Sequence, residues 1–264
     1  MPLPSSWTPT WWGRVATETS LGLILPNLIT VMALCFGMTA LKMAVEGRFA
    51  LAIFAILIAI CLDAADGGIA RLVNGASRFG VELDSLADAI SFGVAPAVLL
   101  YYATLHQLGP IGWCVSLLFA VCVVLRLARF NATTWSSGAS TDYFCGMPAP
   151  AAAATALFPL YVTLAGYWEP PPLLVAAHLL CVAAMAVSRV PFYSGKSSGA
   201  RLVRNNKVVI LLAVCGLSAV SLSNFWLSLA ALIMAYLMIA AAGVLHFWGL
   251  AHWPSTQTSD ASDE

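Results

Sequence analysis

The chain is 264 residues long, balances twelve Lys and Arg against twelve Asp and Glu, and is 61% hydrophobic with 9% charged residues and a mean hydropathy of +0.88. A soluble domain is about a quarter charged, so this composition reads as an integral membrane protein that is nearly all membrane domain. Zero net charge says nothing about nucleic acid, and no basic run interleaved with aromatics points to it, while seven scattered cysteines without CxxC spacing read as small buried apolar side chains rather than disulfides or a metal cluster.

In chain order, residues 1–22 come first, with Trp7, Trp11 and Trp12 ahead of Arg14. No positive leader runs into a short apolar core with a processing site, so this stretch reads as an interfacial segment and not as a cleaved signal peptide. Apolar runs follow near 27–46, 49–70, 84–105, 109–130, 149–167, 172–188, 207–222 and 225–248. At roughly 20 residues per crossing, they predict an all-α, polytopic bundle of about eight transmembrane helices, the sixth and seventh being short. The membrane domain is expected over 23–250, and 251–264 forms a polar, acidic tail expected to be disordered.

Ten of the twelve basic residues fall on one side of this topology: Arg14, Arg71, Arg78, Arg126, Arg129, Arg189, Lys196, Arg201, Arg204 and Lys207, with Lys42 and Arg48 opposite. The positive-inside rule then puts both termini and the loops after the second, fourth and sixth spans in the cytoplasm.

Four of the twelve acidic residues, Asp63, Asp66, Asp84 and Asp88, stand in one short stretch between apolar runs. Positions three or four apart share a helix face, so each pair should project from one face. The two antiparallel helices should bring both pairs to the same cytoplasmic edge. Four converging carboxylates repel unless cations intervene, and hard oxygen ligands favour Mg²⁺, Mn²⁺ or Ca²⁺. Two such ions would suit phosphoryl transfer. Gly67, Gly68, Ala70 and Gly80 remove bulk beside the carboxylates, either for a ligand or for close helix packing. Arg71 adds a forked donor matched to a diphosphate. The four histidines (106, 178, 246 and 252) have no metal-ligand spacing and read as packing residues.

The string Asp63-x2-Asp66-Gly67-x2-Ala70-Arg71-x8-Gly80-x3-Asp84-x3-Asp88 resembles the full signature of the CDP-alcohol phosphotransferase family. That resemblance implies a cytoplasm-facing site that moves a phosphate-linked group from a CDP-activated donor to an alcohol and releases CMP. It implies two divalent ions, Mg or Mn, held by Asp63, Asp66, Asp84 and Asp88, with Asp88 also the general base. It implies donor contacts from Gly67, Ala70, Arg71, Ser77 and Gly80. Asn27 and Thr30 look like further donor contacts, with a helix cap as the alternative. Homodimers are the common assembly of the family.

Within the family, the stretches 82–97, 126–131, 143–153 and 188–196 are similar to the bacterial membrane-bound phosphatidylserine synthases. The donor would then be CDP-diacylglycerol, the acceptor L-serine and the location the inner membrane. A serine carboxylate calls for a cation, so Arg126 and Arg129, with Asn131 as helper, are the expected acceptor contacts. Orientation or lipid-headgroup contact is the alternative for either arginine alone. Two rival readings stay open at this point. A sister transferase would use glycerol 3-phosphate or inositol phosphate as acceptor. A cation or proton-coupled transporter would place its carboxylates near the bilayer centre. The segment 132–148 is either a lid or an ordinary loop.

Overall fold

The computed structural model describes residues 21–73, 78–136, 144–145, 147–188, 191–192 and 224–251. The N-terminal interfacial segment, the polar tail and the expected span at 207–222 lie outside the described residues. The other seven expected spans all have helical counterparts. These are α1 (Leu21–Val45), α2 (Phe49–Val73), a long rod from Arg78 to Ala103, α5 (Pro110–Ser136), the pair α6 (Ala149–Ala156) and α7 (Phe158–Leu164), α8 (Pro172–Val187) and α9 (Phe225–Ala251). Four are long and apolar enough to cross a bilayer, over Pro26–Val45, Phe49–Gly68, Phe79–Ala103 and Pro110–Ala132, and three shorter apolar helices accompany them. The molecule is a multi-pass, helical membrane protein.

The outward faces are apolar. Leu28, Met32, Met38, Leu51, Leu117, Leu125 and Met238 are exposed, which is stable only where lipid chains replace water. Cys35, Cys61, Cys114 and Cys181 also lie exposed on these helices, contrary to the expectation that the cysteines are buried. The core is built largely from alanine: Ala40, Ala44, Ala52, Ala59, Ala152, Ala153 and Ala156 are buried. Small side chains let helix backbones approach where lipid offers no hydrophobic drive for association.

Helices α1 and α2 form an antiparallel hairpin closed by Gly47 at a positive φ of 73°. Lys42 and Arg48 flank Glu46 at this turn, at 3.5 and 3.9 Å. Gly37 of α1 lies against Ser91, so close that a Cβ would overlap the Ser91 hydroxyl. Helix α1 starts at Leu21, ahead of the expected boundary at 27, and carries Pro26 within it. Asn27 and Thr30 are therefore helix-interior residues and not caps.

The third rod also starts earlier than expected, at Arg78 and not at 84. Its first part, α3 (Arg78–Asp88), is strongly amphipathic, and its charged face concealed it from a search for apolar runs. It continues as a π-helix over Ala89–Val94 and then as α4 (Ala95–Ala103). Pro96 has no N–H to return to the Phe92 carbonyl, and the Ala95 N–H bonds instead to Ile90, five residues back. The wide turn thus begins directly after Asp88.

The expected single span at 149–167 is broken at Leu157. Pro159 lacks the N–H that would bond the Thr155 carbonyl. His178 of α8 supplies the missing partner, with Nε2 2.9 Å from that carbonyl oxygen. This histidine is half-buried and acts as a cross-helix tie, which fits the packing reading and gives it a specific cause. Helix α5 also packs on α8.

A two-residue antiparallel bridge pairs β1 (Phe144–Cys145) with β2 (Pro191–Phe192), in the register Phe144 to Phe192. It joins two stretches that sequence reading singled out separately, 143–153 and 188–196.

Candidate active site

The acidic residues come together at the end of the bundle away from the Gly47 turn. Asp63 and Asp66 lie in the last turns of the α2 span, which ends at Gly68. They are about 20–25 Å along the helix from Phe49, at 1.5 Å per residue. Asp84 and Asp88 are a helical turn apart on α3, which packs beside α1.

One carboxylate oxygen from each of Asp63, Asp66 and Asp84 lies within 4.8 Å of the other two. Ligands of a common hard cation at about 2.1–2.4 Å are at most some 4.2–4.8 Å apart, so the trio fits a divalent ion. Asp66 is buried at 7% exposure while Asp63 and Asp84 are half-buried. Asp88 lies close enough to Asp63 and Asp84 for their charges to interact. Neighbouring carboxylates of this kind repel unless a proton or a cation intervenes.

Thr30 completes the trio from α1. Its hydroxyl lies 2.8 Å from Asp66 Oδ2 and 3.0 Å from the Pro26 carbonyl, so one proton is divided between them. Thr30 thereby orients a carboxylate, a role that its sequence position beside Asn27 did not suggest. Asn27 is half-buried on the same turn of α1.

Space beside the carboxylates is open. A Cβ added at Gly67 or Gly68 meets no described atom within 4 Å, so among the described residues neither glycine is required by close helix packing. Gly80 lies half-buried on α3. Ala70 and Arg71 are in the last turn of α2 and only their backbone is described. Ser77 lies outside the described residues.

Three residues of α5 reach the same end. Arg126 is half-buried and interacts electrostatically with Asp88 and with Tyr236 of α9. Its Nε is buried and has no hydrogen-bond partner among the described residues. Arg129 donates from Nη1 to the Val187 carbonyl at 3.0 Å, satisfying an orphan group at the C-terminus of α8. Asn131 donates from Nδ2 to Ser85 Oγ at 2.8 Å. Of the three expected acceptor contacts, Arg126 is the one described as interacting with Asp88, and its Nε has no hydrogen-bond partner among the described residues. Sequence reading missed Ser85, which occupies an unspecified position inside the aspartate signature. It also missed Tyr236, whose approach to Arg126 depends on how α9 packs.

The arrangement is a carboxylate cluster fit for a divalent cation, an open floor of glycines and a cation beside Asp88. The sequence profile of the CDP-alcohol phosphatidyltransferase family matches residues 23–190. The chain is 42% identical over 179 residues to a CDP-diacylglycerol–serine O-phosphatidyltransferase of Mycobacterium leprae, covering 64% of this chain and 57% of that protein. It is 49% identical over 133 residues to the Mycobacterium bovis protein of the same name, covering 49% of this chain and 46% of that one. It is 32% identical over 170 residues to an archaetidylserine synthase of Methanothermobacter thermautotrophicus, covering 64% of this chain and 69% of that protein. The chain spans about half the length of the mycobacterial relatives it matches.

Proposed function

Since the chain belongs to the CDP-alcohol phosphatidyltransferase family, we propose that it transfers the phosphatidyl group from CDP-diacylglycerol to L-serine, yielding phosphatidylserine and CMP. The observation that carries this reading is the meeting of Asp63, Asp66 and Asp84 within one coordination sphere beside Asp88 and Arg126. The serine-using names of relatives at 42–49% identity support the acceptor.

In this reading Asp63, Asp66 and Asp84 would hold two divalent ions, Mg or Mn, with Asp88 a ligand to one of them. When bound, such ions neutralise the diphosphate and the departing CMP. Asp88 takes the proton from the serine hydroxyl. The serine oxygen bonds to the phosphatidyl phosphorus, the bond from that phosphorus to the CMP oxygen breaks, and CMP leaves with the electron pair. Arg126 holds the serine carboxylate. Asn27, Gly67, Ala70, Arg71, Ser77 and Gly80 line the donor half, and Thr30 serves it through Asp66. The site faces the cytoplasm from the inner membrane, and the enzyme works as a homodimer.

The test supplies the purified protein with CDP-diacylglycerol, Mg²⁺ or Mn²⁺, and labelled serine, glycerol 3-phosphate or inositol phosphate in separate reactions. Label should enter lipid from serine, and chelation by EDTA should stop it. Incorporation from glycerol 3-phosphate alone would remove serine as the acceptor.

A further inference from the structure

The end of α5 is tethered on two sides. Arg129 bonds to the Val187 carbonyl of α8, and Asn131 bonds to Ser85 of α3. Arg126 lies about one turn before these tethers on α5, interacts with Asp88, and has its Nε without a hydrogen-bond partner among the described residues. The Ser85 hydroxyl proton is shared between the Val81 carbonyl at 3.1 Å and Asn131 Oδ1 at 3.2 Å, and its oxygen accepts from Asn131 Nδ2 at 2.8 Å. Ser85 follows Asp84 directly and precedes Asp88 by three positions. Asn131 is five residues beyond Arg126, roughly 7.5 Å of helix rise. One hydrogen bond therefore ties the helix that carries the proposed base to the helix that carries the acceptor cation.

We propose that Ser85 and Asn131 are a positioning pair that sets Asp88 against Arg126, and that Asn131 does not contact the substrate. The inference rests on reading the site as a phosphatidyltransferase centre. The Asn131 amide spends one of its two N–H donors on Ser85, and buried polar groups in folded proteins are mostly hydrogen-bonded to each other in this way. Losing the tie leaves both substrates able to bind but lets the two helices drift, and a displacement of about 1 Å can cost on the order of 10²-fold in rate.

The experiment compares full-length wild type with Ser85→Ala, Ser85→Thr, Asn131→Ala and the Ser85→Ala/Asn131→Ala double variant. It reads kcat, serine KM and donor KM per folded protein, with Mn²⁺ affinity measured separately by electron paramagnetic resonance. Each alanine variant should lose at least tenfold in kcat with serine KM within about twofold. The double variant should be no worse than the poorer single one, because both remove the same bond. Ser85→Thr keeps the hydroxyl and should recover most of the rate, which keeps the test decisive even where Asn131→Ala does not fold. A tenfold rise in serine KM for Asn131→Ala beside a normal Ser85→Ala would make Asn131 a substrate contact and overturn the pairing. Reduced stability with unchanged kcat would also overturn it. If wild type uses another acceptor, the serine reading fails and the pair is scored the same way on that acceptor. If wild type is inert with every acceptor, the pair is judged on Mn²⁺ affinity: equal weakening in both alanine variants supports it and wild-type affinity overturns it.

Discussion

The Thr30 hydroxyl lies 2.8 Å from Asp66 Oδ2, linking two helices across 36 positions of sequence. Asp66 is the most buried of the four site carboxylates, and it receives this bond from α1 and not from its own helix. The hairpin of α1 and α2 is therefore part of the proposed metal site as well as its scaffold.

Thr30→Val keeps the shape and removes the donor. A hydrogen bond to a charged group contributes about 1.5–3 kcal/mol, so the metal concentration giving half-maximal activity should rise by about ten- to a hundredfold. Titration of Mg²⁺ or Mn²⁺ in the labelled-serine assay measures it. An unchanged metal dependence with a raised CDP-diacylglycerol KM would make Thr30 a donor contact instead.

Asp88→Asn should abolish turnover, with a loss of at least 10²–10⁴-fold for a general base. Nucleotide binding should persist, because Asp63, Asp66 and Asp84 remain. Calorimetric titration with CDP beside the turnover assay separates the two effects. Near-normal turnover would exclude Asp88 as the base.

The two arginines of α5 should behave differently. Arg126→Ala should raise serine KM by tenfold or more and leave the donor KM within about twofold, as expected for loss of a charge-assisted pair. Arg129→Ala should lower the Tm by uncapping the Val187 carbonyl, with a smaller effect on serine. Initial rates at varied serine and thermal unfolding in detergent distinguish them. Equal serine KM shifts in both would return Arg129 to the acceptor pocket.

His178→Leu should cost about 1–3 kcal/mol of stability, the penalty for leaving the Thr155 carbonyl unsatisfied. Adding Pro159→Ala restores an N–H within helix reach of that carbonyl and should recover part of the loss. Thermal unfolding of the single and double variants checks it. An additive double variant would show that the histidine does not substitute for the missing proline N–H.

Much of the molecule is legible without coordinates. Periods of apolar residues locate seven of the expected helical segments, with ends shifted by up to six positions, because a bilayer admits only long apolar helices and closed barrels. The boundaries that moved, at Leu21 and Arg78, are places where Pro26 or a charged face interrupts the apolar run. The break at Leu157 was signalled by Pro159, but its tolerance was not. A freed carbonyl needs a donor, and that donor sits on another helix at His178.

The aspartate spacing by itself determined the chemistry expected of the site: four carboxylates on two helix faces, with glycines opening one side. Local periodicity suffices for this, since residues three or four apart must share a face. Tertiary structure alone decided how the neighbouring polar residues divide the work. Thr30 goes to Asp66, Asn131 to Ser85 and Arg129 to the end of α8, leaving Arg126 facing Asp88. Those assignments depend on which helix lies beside which and at what depth, and hydrogen bonds between helices obey no sequence interval.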